Sequence, residues 1–199
     1  MKTFKIISLK TIVNFSLAII LLTSSCAQSS KKTTSKSDNS TKAQKVVEKP
    51  SVNIQTAVLS GNLEAVKQHI EAGTNINKKD PMSGSTPLIS AASFGRIEIA
   101  KALIGARADL RPKNNDGATA LHAAAFFGRV EIVQLLIEAQ ADKTVKNNFG
   151  ATPRESVMSP FAEIKPIYEM LQQQLGPLGL QLDLDELEKT RPVIAMMLQ

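Results

Sequence analysis

After residue 51, apolar and polar positions follow the period of short amphipathic helices, and the pattern returns along the chain. The stretch TPLISAASFGRIEIAKALIGARAD begins at Thr86 and returns 33 residues later, at Thr119, as TALHAAAFFGRVEIVQLLIEAQAD. A further start, TPRESVM, follows at Thr152 after the same interval, and VNIQTAVLSGNLEAVKQHIEAGTN from Val52 fits the same template. The full copies each hold two short apolar segments with a glycine between them. The pattern therefore predicts a repeated pair of helices.

Residues that favour helix ends stand at the borders of these segments. Thr86 and Thr119 suit the position before a helix, where a hydroxyl accepts a hydrogen bond from an unpaired backbone N–H. Pro87 falls at the first helical position, which tolerates proline. Thr152 and Glu155 form the S/T-x-x-E pattern of a capping box. These signals predict that three of the copies begin a helix just after the threonine.

The period and the motifs together resemble the ankyrin repeat. The resemblance is carried by the Thr86, Pro87, Leu88 and Thr119, Ala120, Leu121, His122 starts, the alanine pairs, and Gly95 and Gly128. It covers residues 52 to about 172. It implies an all-α solenoid of about four repeats, each a helix-turn-helix unit joined to the next by a β-hairpin loop. The third helical position of His122 lets it bond back to the cap, so we expect a structural role for it.

The repeat boundaries define the predicted domains. We expect the solenoid at residues 51–175, with repeats at 52–85, 86–118, 119–151 and 152–175. The segment 176–199 does not follow the repeat pattern and is predicted to be a C-terminal helical cap over the stack. The alternative is that this segment is a partner-binding tail.

Two positions depart from the ankyrin pattern. Ankyrin repeats usually carry glycine after the second helix, as at Gly73, but Arg107 and Gln140 stand there in the next two copies. We expect both residues to adopt a positive φ, which a residue with a Cβ atom does only at a cost.

The N-terminus carries the signs of an export signal. Three lysines precede the apolar stretch TIVNFSLAIILL, which is followed by TSSCAQ. This arrangement resembles a bacterial lipoprotein signal, with the peptide 1–25 removed and Cys26 lipidated. The alternative is cleavage after Ala27, which would leave a soluble secreted or periplasmic protein. Residues 26–50 are rich in Ser, Thr and Lys, and their composition predicts a disordered tether.

The resemblance to lipoproteins also bears on the membrane. Ala27 and Gln28 follow the cysteine, and an Asp there would favour the inner membrane of enteric-type bacteria. We therefore expect a lipid-anchored protein of the cell envelope, on the outer membrane and facing the periplasm.

Composition and charge limit the ligands and reactions that the chain can support. The first 51 residues hold nine lysines and two acidic residues, so the net charge of +6 leaves about −1 for the rest, which argues against nucleic-acid binding. Only two histidines and one cysteine are present, too few for a His/Cys metal cluster. There is no phosphate-binding loop and no nucleophile elbow. We expect no catalytic residues, no cofactor and no metal.

Partner binding is predicted on the concave face and the loop tips. Phe94 and Phe127 lie one repeat apart at a position that faces the groove of ankyrin domains, and Phe126 is adjacent. Solvent-facing aromatic residues at such a place are interface anchors, unless the C-terminal cap or a loop covers them. The predicted partner-binding set is Phe94, Phe126, Phe127, Met82, Ser90, Asn115, Asp116, Asn148 and Phe149.

Two functions follow from this reading. The first is a monomeric, non-catalytic protein–protein interaction module, tethered to a bacterial envelope membrane and binding an envelope or secreted protein through its concave surface. The alternative is an inhibitor or immunity-type lipoprotein that blocks a toxin or hydrolase.

Overall fold

The computed structural model describes residues 50–199. The predicted signal peptide, Cys26 and all of the predicted tether except Pro50 lie outside these residues. Within 50–199 the chain forms α-helices, two 3-10 turns and connecting loops, without a β-strand. The helices are α1 (Ile54–Leu59), α2 (Leu63–Glu71), α3 (Pro87–Phe94), α4 (Ile97–Gly105), α5 (Ala120–Phe126), α6 (Val130–Glu138), α7 (Phe161–Leu175) and α8 (Leu184–Met197). The 3-10 turns are Glu155–Val157 and Gly176–Leu178.

The helices pack in two rows. The inner row consists of α1, α3 and α5 and ends in the 3-10 turn Glu155–Val157. The outer row consists of α2, α4 and α6, and the next helix in this row is α8. This differs from the boundaries predicted from sequence, because the outer helix that follows the fourth inner element comes from 184–197 rather than from 152–175. Helix α7 lies along the chain between the 3-10 turn Glu155–Val157 and α8, and it belongs to neither row.

Alanines hold the inner row together. Ala91 and Ala92 of α3 and Ala124 and Ala125 of α5 are completely buried. Because an alanine side chain is a single methyl group, neighbouring helix backbones approach closely at these positions. Larger aliphatic side chains then fill the space between the two rows, among them Leu88, Ile99, Leu103, Leu121, Ile132 and Leu136. The core is thus almost entirely aliphatic.

The fourth inner element is short for a local reason. Thr152 and Glu155 form the predicted capping box, with Glu155 Oε2 accepting from the Thr152 N–H at 2.8 Å. After one 3-10 turn the chain reaches Ser159 and Pro160, and a residue before proline avoids the helical region. Pro160 then precedes α7, which leaves the inner row.

His122 joins one repeat to the next. Its backbone N–H and its Nδ1 atom form a capping box with Thr119, whose hydroxyl lies 2.9 Å from Nδ1. Its Nε2 atom lies 3.1 Å from the carbonyl oxygen of Ala151 in the following loop. The structural role predicted for His122 is confirmed. Burial is the main cause that lowers the pKa of His122 below its usual value.

This burial predicts a pH dependence of stability. The neutral ring fits the capping box, because Nδ1 accepts from the Thr119 N–H and a proton there would remove that acceptor. Unfolded His122 takes up a proton near pH 6.5, whereas the folded residue does so at lower pH. Its contribution is therefore complete above about pH 6.5 and declines as the pH falls through the window between the two pKa values. The slope is at most about 1.4 kcal/mol per pH unit.

We expect His122→Gln to remove this component, because glutamine keeps the capping box and does not titrate. Urea unfolding of both proteins from pH 8 to pH 5 measures the difference. Parallel stability profiles for the two proteins would show that His122 titrates alike in the folded and unfolded states.

Arg107 and Gln140 adopt φ values of 61° and 62°, and both side chains are exposed. The predicted positive φ is therefore confirmed. We expect Arg107→Gly and Gln140→Gly each to raise the free energy of unfolding by about 0.5–1 kcal/mol, because glycine adopts this conformation without strain.

A matched control variant should change the free energy of unfolding in the opposite direction. Gly73 occupies the same place in the first copy, with φ 68° and open space around its Cα. Gly73→Ala should lower the free energy of unfolding by about 1 kcal/mol through backbone strain alone. Thermal and urea unfolding measure all three variants, and a loss of stability in both glycine variants would contradict the account.

Candidate protein-binding surfaces

Three successive loops form a hydrogen-bonded ladder, which we name the hairpin ridge (residues 80–85, 114–118 and 147–151). Asn115 donates its backbone N–H to Ser83 O at 3.0 Å and its side-chain amide to Met82 O at 2.7 Å. One repeat further on, Asn148 donates its backbone N–H to Asp116 O and its side-chain amide to Asn115 O, both at 2.9 Å. The ladder fixes each loop to the one before it.

The loops are also braced from within. Asn114 Oδ1 accepts from the N–H groups of Asp116 and Ala118 at 3.0 and 2.8 Å. Gly117, at φ 72°, packs so closely on the Asn148 side chain that a Cβ atom there would collide with it. The ridge is therefore a preorganised surface, since ordering these loops on binding costs little further entropy.

Apolar side chains project from both ends of the ridge. Met82 is 76% exposed and Phe149 is 54% exposed. Asn115 and Asn148 are exposed, but their amide groups are engaged in the ladder. Asp116 is half-buried, and burial raises the pKa of its carboxyl group. Among the predicted partner-binding residues, Met82 and Phe149 are thus the apolar side chains that a partner can reach.

Ser90 does not lie on an accessible surface. It is 5% exposed in the middle of α3, and its hydroxyl accepts a hydrogen bond from the Gln55 side chain of α1. The prediction that Ser90 is open to a partner is corrected by this contact between adjacent inner helices.

The phenylalanines are covered by the chain itself. Phe94, Phe126 and Phe127, which we name the aromatic face, are half-buried beneath the segment 158–183, which we name the C-terminal excursion. The Phe126 ring lies 5.1 Å from that of Phe127 and 4.8 Å from that of Tyr168, between ring centroids. The expectation of solvent-facing rings is therefore corrected, and the alternative of a covering C-terminal segment describes the structure.

One buried polar group fixes the excursion to the stack. The Tyr168 hydroxyl donates to Phe126 O at 2.7 Å and accepts from Arg191 Nη1 of α8 at 2.8 Å. Arg191 is 3% exposed, and its Nη2 donates to Ser159 O at 2.7 Å. Burial raises the pKa of Tyr168, and the positive charge of Arg191 opposes that shift. Tyr168 thus links the first and last parts of the C-terminal region to α5.

Two arginines complete the covered surface. Arg96 and Arg129 follow Gly95 and Gly128, one repeat apart, and reach from the ends of the inner helices to carbonyl groups of the C-terminal excursion. Their equal spacing is visible in the sequence, but nothing local indicates what they contact. The apolar stripe of α7 was equally visible; it consists of Phe161, Ile164, Tyr168, Leu171 and Leu175.

The described residues carry no group of three or more His, Cys, Asp or Glu side chains placed to hold a metal ion.

Comparison with known proteins defines the class. Residues 54–147 match the family model for ankyrin repeats in three copies. The solved ankyrin repeat domain of Bcl-3, described as a unique member of the IkappaB protein family, is 29% identical. That match covers 52% of this chain and 45% of the Bcl-3 chain, with a TM-score of 0.50. The chain folds as an ankyrin-repeat solenoid.

Curated relatives share the repeats. Protein phosphatase 1 regulatory subunit 27 of Homo sapiens is 45% identical over 64 residues, which are 32% of this chain and 41% of the relative. DNA-binding protein RFXANK of Homo sapiens is 37% identical over 59 residues, 30% of this chain and 23% of the relative. The chain spans less than half the length of these relatives. Ankyrin repeats and relatives of this kind indicate a protein–protein interaction module.

The Tyr168 contacts yield a measurable coupling. Tyr168→Phe leaves the buried Arg191 Nη1 without its acceptor, and we expect it to lower the free energy of unfolding by about 2 kcal/mol. In a double-mutant cycle with Arg191→Met, the cost of Tyr168→Phe should become smaller, because the buried charge is gone. Urea unfolding measures each variant.

The control is Gln172→Ala, at an exposed position of α7. It should change the free energy of unfolding by at most about 0.5 kcal/mol. Additive effects in the cycle would contradict the coupling.

Proposed function

We propose that this chain is a lipid-anchored, non-catalytic binding module that captures a protein of a bacterial cell envelope through its hairpin ridge. The observation that carries the proposal is the exposure of Met82 and Phe149 on loops that hydrogen bonds already hold in place. Methionine and aromatic residues are enriched in protein interfaces, and a rigid support lowers the entropy lost on docking.

The ridge supports this role better than the aromatic face does. A partner that approaches the described chain meets the ridge directly, whereas the C-terminal excursion covers Phe94, Phe126 and Phe127. The ridge also combines its two apolar tips with polar asparagines between them. An apolar anchor with a polar surround is the usual composition of an interface.

The membrane part of the proposal comes from the sequence. The lipoprotein-like signal ends at Cys26, and acyl chains on that residue would hold the protein stably on a bilayer, because two or more chains together exceed the marginal affinity of one. Among the helices of residues 50–199, none combines the length and the apolar run needed to cross a membrane. We propose the outer membrane, on its periplasmic side, as the location.

The test combines anchoring and capture in one experiment. The full chain is produced in a bacterial host that processes lipoproteins, treated with a short amine-reactive crosslinker, and fractionated. We expect the wild-type chain in the membrane fraction with a crosslinked partner. The Cys26→Ala variant should move to the soluble fraction. The Met82→Asp/Phe149→Asp variant should stay in the membrane fraction and lose the crosslinked partner, because a charge replaces each apolar anchor.

A matched control separates the ridge from general surface effects. Met158 is 55% exposed, close to the value for Phe149, but lies outside the ridge. Met158→Asp should keep the partner. Equal loss of the partner in both variants, or its retention in the ridge variant, argues against the ridge. A Cys26→Ala chain that remains in the membrane fraction argues against lipid anchoring.

A further inference from the structure

The last part of the C-terminal excursion crosses the aromatic face between a turn and a helix. Residues 179–182, which we name the resident segment, follow the 3-10 turn Gly176–Leu178 and precede α8. Gly179 is a left-handed turn residue with φ 95°, and Leu180–Leu182 follow it outside any helix or turn. Leu180 and Leu182 are buried against the aromatic cluster, whereas Gln181 between them is exposed. This alternation is the signature of an extended chain with one face on a surface.

The two arginines hold the backbone of the resident segment. Arg96 Nη2 donates to Leu59 O at 2.7 Å and to Gly179 O at 3.4 Å. One repeat later, Arg129 Nη2 donates to Ser93 O at 3.4 Å and to Gln181 O at 2.8 Å. Each arginine therefore bridges the end of an inner helix and one carbonyl of the segment. Because the acceptors are backbone atoms, these contacts are available to any chain in the same conformation.

Among the described residues, no acidic side chain forms an ion pair with Arg96 or Arg129. The ion pairs found among residues 50–199 join Lys67 to Glu64, Lys101 to Glu98 and Arg111 to Asp109, and so leave out both arginines. Over the same residues, the buried Nε atoms of Arg96 and Arg129 have no hydrogen-bond partner. The resident segment thus satisfies only part of the donor capacity, and a more acidic occupant would be favoured electrostatically.

The resident segment is also separate from the core of the repeats. Leu180 and Leu182 belong to a cluster with Tyr168 and the aromatic face, distinct from the aliphatic core of the solenoid. Helix α8, which follows, is anchored in the solenoid core through Ile194 and Leu198. Leu187, in the first half of α8, packs with Leu180 and Leu182, so release of the segment leaves α8 held by Ile194 and by the Leu198 that caps it.

We propose that the aromatic face, with Arg96 and Arg129, is a groove for an extended, acidic peptide bearing a Leu-x-Leu pair. The partner supplies this peptide, and the resident segment is the internal occupant that it displaces. The chain itself provides the template, since its Leu180-Gln181-Leu182 run continues into acidic residues at Asp183 and Asp185. The groove uses other residues than the hairpin ridge and extends the binding capacity beyond it.

The experiment measures binding of a defined probe to the full chain. The probe is a fluorescein-labelled peptide with the sequence of residues 176–186, GPLGLQLDLDE, followed by fluorescence anisotropy. In Leu180→Ala/Leu182→Ala the internal competitor is weakened while the groove is intact. We expect this variant to bind the probe at least about tenfold more tightly than wild type, because a tethered competitor acts at high effective concentration.

Further variants test whether the probe binds in the groove. Arg129→Gln added to the weakened chain should reduce probe affinity at least about tenfold, since it removes a charged donor to the peptide backbone. Arg107→Gln is the matched control, because it removes the same charge at an exposed position where the next repeat carries Gln140. A probe in which the leucines of the Leu-x-Leu pair, equivalent to Leu180 and Leu182, are replaced by alanine should not bind. Equal binding to all chains, or no binding to a weakened chain that is folded, overturns the proposal.

Hydrogen exchange of the wild-type chain provides a test that needs no variant. If the resident segment is displaceable, the Leu180 amide, which donates to Leu175 O at 3.1 Å, exchanges at least about 100-fold faster than the hydrogen-bonded amides of α3 and α5. Equal protection would show that the segment is released only by global unfolding, which overturns the proposal. Neither measurement depends on Met82, Phe149 or the membrane, so its result is independent of the outcome for the ridge.

Discussion

The close approach of the inner helices is the contact on which the rest of the structure depends. Ala91, Ala92, Ala124 and Ala125 have no exposed surface, and their small size brings adjacent repeats together. At that separation, the loops lie close enough for Asn115 and Asn148 to bridge them. The rigidity of the exposed ridge is therefore a consequence of packing between helices some distance from it.

The same constraint explains where the stack ends. Val157 and Met158 stand where the earlier copies have alanine pairs, and Ser159-Pro160 stops the helix after a single turn. The chain then leaves the row, crosses the aromatic face and returns as α8, which takes the outer place beside α6. Tyr168 and Arg191 stabilise this detour with hydrogen bonds to the stack and to each other.

Sequence reasoning reached the features that depend on neighbours along the chain. The repeat period, the threonine caps, the capping role of His122 and the positive φ of Arg107 follow from local preferences and from a period of 33 residues. The contact of His122 with Ala151 in the next loop was not predicted. The cover over Phe94 and Phe127 does not, because it depends on where α7 packs, and Tyr168 of that helix lies 42 residues along the chain from its contact Phe126. The apolar stripe of α7 indicates that this helix is half-buried, but an amphipathic pattern does not identify the surface that buries it.

In a repeat protein, a contact made by one motif position recurs in each copy that keeps the residue. Arg96 and Arg129 occupy one motif position, and each donates to a carbonyl of the preceding inner helix and to a carbonyl of the crossing segment. Backbone contacts of this kind favour an extended chain without regard to its sequence, so discrimination falls to the side chains that enter the aromatic cluster and to the charge nearby. The exposed ridge differs in this respect. Its backbone groups are already hydrogen-bonded between loops, so the groups it offers to a partner are the side chains at its tips. In the binding model proposed above, the stack carries one surface that is ready for a partner and another whose apparent affinity is lowered by its own occupant.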